Sequence, residues 1–163
     1  MELSKTMENM INKQIQAEYY SSYLYLSMAA YCDSVNMPGY AHWMRAQSHE
    51  ELEHALKFYR YIVERGGRVV LEAIQQPPVE FDSLLAVAEE VYAHEQKVTS
   101  LIGGLYETAV AEKDYASQVF LHWFIEEQVE EEDNARTIVD QFKMIGDHAN
   151  GLFMLDRQLG ARQ

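Results

Sequence analysis

Residues 66–82 read Gly-Gly-Arg-Val-Val-Leu-Glu-Ala-Ile-Gln-Gln-Pro-Pro-Val-Glu-Phe-Asp. Gly66-Gly67 is a helix stop, Pro77-Pro78 cannot lie inside a helix, and Asp82-Ser83 carries the capping oxygens that open a new one. The segment is therefore a long connection, and its length decides the topology. Outside it the only proline is Pro38, beside Asn36 and Gly39, so the rest of the chain falls into long stretches of helix-forming composition. The punctuation predicts helices at 4–33, 38–65, 83–110 and 113–143, with a short fifth at 146–159. Helices 1 and 2, and likewise 3 and 4, are joined by a few residues and are antiparallel neighbours. The 17 residues of the middle link can stretch over about 55–60 Å, more than the roughly 42 Å of a 28-residue helix. Helices 2 and 3 are then parallel. The expected fold is all-α, a four-helix bundle with one long crossover plus a short C-terminal helix, with residues 1–163 as a single domain.

A bundle core needs residues alternately three and four apart, and each helix supplies such a seam. Helix 1 offers Ile11, Ile15, Glu18, Ser22, Tyr25, Ala29 and Cys32; helix 2 offers Tyr40, Met44, Gln47, Glu51, His54, Phe58 and Tyr61. Helix 3 offers Leu84, Ala88, Val91, Glu95, Val98, Ile102 and Leu105; helix 4 offers Leu121, Phe124, Gln128, Glu131, Ala135, Ile138 and Phe142. Every seam carries a carboxylate near its middle and none carries a basic residue. Buried ionised carboxylates without partners cost several kcal/mol each, against a total stability of about 5–15 kcal/mol. Cations must neutralise them.

Glu18, Glu51, Glu95 and Gln128 all fall about 21–22 Å along the bundle at 1.5 Å per residue, so the four helices contribute at one level. The spacing also repeats: Glu18 to Glu51 and Glu95 to Gln128 are both 33 residues, and Glu51-Leu-Glu-His54 recurs 77 positions later as Gln128-Val-Glu-Glu131. Residues three apart share a helix face. The pattern is that of di-iron carboxylate bundles, one Glu from each of two helices and a Glu-x-x-His from each of the others, except that Glu131 replaces the second His. Glu18, Glu51, Glu95 and Glu131 total −4 and balance two divalent cations. Oxygen-rich ligation with one His suits Fe²⁺ or Mn²⁺ and leaves Zn²⁺ and Co²⁺ open.

Composition narrows the partners. Thirteen Lys and Arg against 26 Asp and Glu leave a net charge of −13, which argues against a nucleic-acid surface and for cations. The single cysteine, Cys32, excludes an internal disulfide framework and fits a reducing cytoplasm. Residues 1–13 lack the apolar core of a signal peptide, and no apolar run approaches the roughly 20 residues of a membrane span. The expected location is cytoplasmic, with no membrane and no nucleic-acid partner.

The stretches Glu18-Tyr-Tyr-Ser-Ser-Tyr-Leu-Tyr25, Glu50-Glu51-Leu-Glu-His54, His94-Glu95 and Trp123-Phe-Ile-Glu-Glu-Gln-Val-Glu-Glu131 together resemble the non-haem ferritins of bacteria and archaea, over nearly the whole chain. The resemblance implies a ferroxidase centre with one iron held by Glu18, Glu51 and His54 and the other by Glu51, Glu95 and Glu131, Glu51 bridging and Gln128 close by. It implies a third iron site at Glu50, Glu127 and Glu130, and a catalytic contribution from Tyr25, with Trp123 beside it, as an electron source. Haem is not expected, because Leu52 stands where the haem-carrying relatives place a ligating Met and Glu131 where they keep a second His. His42, His49, His94, His122 and His148 join no comparable group and read as structural or surface residues.

The activity implied is storage by oxidation: Fe(II) is oxidised by O2 or H2O2 and kept as a ferric oxo-hydroxo mineral inside a hollow homo-oligomeric shell, a 24-mer by resemblance. Leu152, Phe153, Leu155 and Leu159 in the fifth helix form an apolar stretch expected to make an assembly contact. A rubrerythrin-like peroxidase or a di-iron oxygenase could use the same ligands, although the first usually adds a cysteine-rich iron domain. A metal-free interaction bundle would tolerate apolar residues at Glu18, Glu51 and Glu95. The DNA-coating relative builds its centre between subunits, whereas this chain carries a complete set.

Overall fold

The computed structural model describes residues 2–163 and contains five helices: α1 (Lys5–Ser34), α2 (Pro38–Glu64), α3 (Leu84–Ala111), α4 (Tyr115–Ile145) and α5 (Ala149–Leu159). The boundaries fall within three residues of those expected from the sequence. Side-chain caps set most of the starts. Ser4 Oγ accepts the Met7 N–H at 3.0 Å, Ser83 Oγ that of Ala86 at 3.0 Å, and Asp114 Oδ1 that of Ser117 at 3.1 Å, each satisfying an N–H that the first turn leaves unpaired. Gly66 and Gly146, both at positive φ, end α2 and α4 in a backbone conformation that glycine adopts without a steric penalty.

Side-chain pairs give the directions. Arg45 reaches Asp33 between α2 and α1 while Ser48 pairs with Ser22, and Tyr106 meets His122 while Gln128 meets Glu95 between α4 and α3. Between α2 and α4, Gln47 meets Glu131 and Arg65 meets Asp114. Both hairpins are antiparallel, α2 and α4 are antiparallel, and α2 and α3 run the same way. The crossover makes that possible by climbing α1: Asn12 holds Arg68 and Val70, Gln16 donates to the Ala73 carbonyl, Ser27 to that of Pro78, and Tyr31 packs edge-on against Phe81. From Asn12 to Tyr31 is about 28 Å of helix.

The seam residues are buried, apart from Ser22 and Leu84, which are half-buried. The apolar core forms two clusters. One gathers Met28, Tyr40, Met44, Val91 and Phe142 near α5; the other gathers Ile11, Phe58, Ile102, Leu121 and Phe124 at the opposite end. The polar layer lies between them.

The fifth helix departs from expectation. Leu155 and Leu159 turn into the chain's own core, with Leu152 beside them, while Phe153 and Met154 stay exposed. The apolar stretch thus divides, one face sealing the bundle end and the other exposed. Met37 offers α2 no side-chain cap and Pro38 has no N–H. Asp156 of α5 supplies what is missing, its Oδ1 accepting the Tyr40 N–H at 2.9 Å. Gly39 permits the approach, because a Cβ there would lie 1.8 Å from the Asp156 carbonyl oxygen.

Candidate metal centre

Glu18, Glu51 and His54 meet where α1 and α2 cross the polar layer. One ligand atom from each lies within 4.8 Å of the others, and among the described residues this is the one group of three so placed. All three are buried. Gln14, one turn before Glu18, donates to Glu18 Oε1 at 2.7 Å, while Glu18 Oε2 is buried without a hydrogen-bond partner. Such an atom is costly in a metal-free core, and its natural partner is a cation.

The second hairpin supplies the opposite wall. Tyr25 donates from its hydroxyl to Glu95 Oε1, and Gln128 Nε2 donates to Glu95 Oε2 at 3.1 Å. Gln47 Nε2 donates to Glu131 Oε2 at 2.6 Å. Arg162, near the C-terminus, donates Nη1 to Gln47 Oε1 at 2.7 Å. A guanidinium can only donate, so Gln47 must present its oxygen to Arg162, which leaves its NH2 for Glu131. Each of Glu18, Glu95 and Glu131 is thus steadied by neutral donors that orient it without cancelling its charge.

Burial and mutual repulsion push these carboxyls up. Glu18 and Glu51 lie well above the ordinary 4.5, chiefly from desolvation and then from the neighbouring carboxylates; Glu95 is raised by desolvation. Glu131 is lifted to about 7 by desolvation and by Glu95. Divalent cations would reverse that preference by displacing protons from a set whose full charge is −4. The residues present therefore fit metal cations. Tyr25 is held neutral by burial and by Glu95.

Trp123 sets its ring edge-on to His54, with centroids 5.3 Å apart, and carries the Lys57 ammonium 3.1 Å above its face. Glu50, Glu127 and Glu130 are not gathered as tightly as the paired group. Glu50 and Glu127 line a cavity of about 320 Å³ with His54, Lys57 and Trp123; Glu50 and Glu130 line another of about 560 Å³ with Arg162. Glu50 is the member common to both.

Sequence reasoning passed over three contributors. Gln47 carried the same signal as the glutamates, a polar residue in an apolar seam. Gln14 lies one turn before Glu18, where a side chain can reach it. Arg162 gave no signal, since its position depends on how α5 folds back. His94 is structural as expected: Ser21 Oγ lies 2.8 Å from its Nε2, and burial lowers it to about 4.

The ferritin-like domain family matches residues 8–145. The chain is 46% identical over 160 residues to a bacterial non-heme ferritin of Bacteroides fragilis, covering 98% of this chain and 99% of that protein. It is 41% identical over 160 residues to one from Staphylococcus epidermidis, covering 98% and 96%. An open pore ferritin from Archaeoglobus fulgidus superimposes with a TM-score of 0.98 at 50% identity, over 99% of this chain and 98% of that one. No helix among the described residues is long and apolar enough to cross a membrane. Fold, sequence and the buried carboxylate layer agree: the chain belongs to the ferritin family.

Proposed function

We propose that this protein stores iron by oxidising it, with Glu18, Glu51, His54, Glu95 and Glu131 as ligands of two Fe²⁺ and Gln128 and Tyr25 orienting Glu95. The observation that carries the reading is the buried carboxylate layer with an unpartnered Glu18 oxygen. Fe²⁺ enters as substrate and expels the protons that burial holds on the carboxyls. Each Fe²⁺ then gives up one electron, and O2 takes two electrons and two protons to become H2O2; H2O2 can serve as oxidant in turn. Two Fe³⁺ bring +6 against −4, and hydrolysis to oxide and hydroxide restores neutrality while releasing protons. Oxidation therefore favours departure of the product. Holding two metals side by side among carboxylates is the protein's contribution.

Glu50, Glu127 and Glu130 form a third, weaker site on the way to the store. The product collects as ferric oxo-hydroxo mineral inside a 24-subunit shell in the cytoplasm, and residues 1–163 act as one domain without haem. Anaerobic Fe²⁺ titration followed by O2 tests the reading, comparing wild type with Glu51→Ala and His54→Ala. Loss of rapid O2 consumption in both variants and an enclosed mineral in the wild type support it. Unchanged O2 consumption per iron in both, or a wild type that is monomeric at all concentrations, overturns it.

A further inference from the structure

Arg162 reaches the rim of the carboxylate layer from the C-terminus, on the side of Glu50 away from Lys57, and it is held from several sides. Its Nη2 pairs with Glu50 Oε2 at 2.6 Å and its Nη1 with Gln47 Oε1 at 2.7 Å, while the guanidinium lies 4.8 Å from the Trp43 ring centre. Its backbone carbonyl accepts from His42 Nε2 at 2.8 Å; a carbonyl only accepts, so that nitrogen carries the proton. Asp156 anchors the preceding helix to α2. The C-terminal residues are therefore a strap along α2 whose cationic end rests on Glu50, and the cavity of about 560 Å³ beneath that end also reaches Glu130.

We propose that the Arg162 guanidinium is a built-in counter-ion for the third cation site: it occupies the Glu50 carboxylate until a metal ion displaces it, and the strap then leaves α2. The inference rests on the assignment of Glu50 to that site. Cation and guanidinium compete for the same oxygen, so the third ion binds only by the margin with which it beats Arg162. This keeps its hold weak and suits a station that must empty. The planar fork is needed to meet Glu50 and Gln47 together, which a lysine ammonium cannot reproduce.

The test is anaerobic calorimetric titration of the assembled protein with Zn²⁺, for wild type, Arg162→Ala, Arg162→Lys, Glu50→Gln and the Arg162→Ala/Glu50→Gln double variant. Hydrogen exchange of the C-terminal peptide is followed in the wild type. Arg162→Ala should tighten the third ion by roughly three- to tenfold, with Arg162→Lys in between, while any change at the second ion, whose ligand Glu131 is steadied through Gln47, should be a weakening. The Glu50→Gln background should abolish the gain, and wild-type exchange in residues 158–163 should rise only beyond two ions per chain. A merely structural Arg162 would leave every affinity unchanged or weaken it, and would not tighten the third ion. An unchanged third affinity in Arg162→Ala, or a strap that stays protected at saturating Zn²⁺, overturns the inference while two tight ions leave the paired centre standing. A wild type that binds no ion overturns both.

Discussion

The Tyr25 hydroxyl on α1 donates to Glu95 Oε1 on α3, so the two hairpins are joined at the carboxylate layer by a bond between a neutral phenol and a buried acid. The Tyr25→Phe variant keeps the ring and removes this donor. It should lose about 1–3 kcal/mol of stability and oxidise iron more slowly with two ions still bound. Thermal unfolding and stopped-flow oxidation report the two effects separately; an unchanged rate would reduce Tyr25 to packing.

Apolar replacement of the carboxylates separates stability from function. Glu18→Leu removes a buried acid with an unpartnered oxygen, so the metal-free protein should gain about 1–4 kcal/mol. The same variant should lose its first tight ion in calorimetry. Retained Zn²⁺ stoichiometry would place the ion elsewhere.

Metal-free stability should fall as pH rises. Glu131 is held at about 7 against an ordinary 4.5, so between those values the folded chain keeps a proton that the unfolded chain has lost. Stability is fullest below about 4.5 from this group and declines toward 7, by on the order of 3 kcal/mol. The raised Glu18, Glu51 and Glu95 act in the same sense. Saturating Zn²⁺ should reverse the slope, because metal binding releases the protons. Thermal midpoints at about pH 5.5, 7 and 8, with and without metal, check the sign.

At the far end, Gly39→Ala should detach α5, since the new Cβ would lie 1.8 Å from the Asp156 carbonyl oxygen. Asp156→Ala removes the cap that α2 lacks and should cost about 1 kcal/mol, with Asp156→Asn recovering most of it. Sizing should show weakened assembly for Gly39→Ala, because exposed Phe153 and Met154 lose their fixed position.

The four helices and their directions were legible because proline positions and one long link leave few alternatives. The polar layer was legible for the same reason that it is costly: Glu18, Glu51, Glu95 and Glu131 interrupt apolar seams at one height. What escaped was held by contacts distant in sequence. Nothing near Pro38 announces that its helix is capped from position 156, and nothing near Arg162 announces Glu50, 112 residues away. Leu155 and Leu159 read as surface contacts because periodicity shows an apolar face and not its partner.

The division of ligands between hairpins also bears on how the chain folds. Glu18, Glu51 and His54 all belong to α1 and α2, whereas Glu95 and Glu131 arrive only with α3 and α4. On the proposed assignment the first ion needs only one hairpin, and the second would be a rivet between two. Its ligands Glu51 and Glu131 lie 80 residues apart in sequence, a distant closure whose entropy is paid before the contact rewards it and which is therefore expected to form late. Loading it should slow unfolding while leaving the folding rate nearly unchanged, so that a filled centre keeps the bundle shut kinetically.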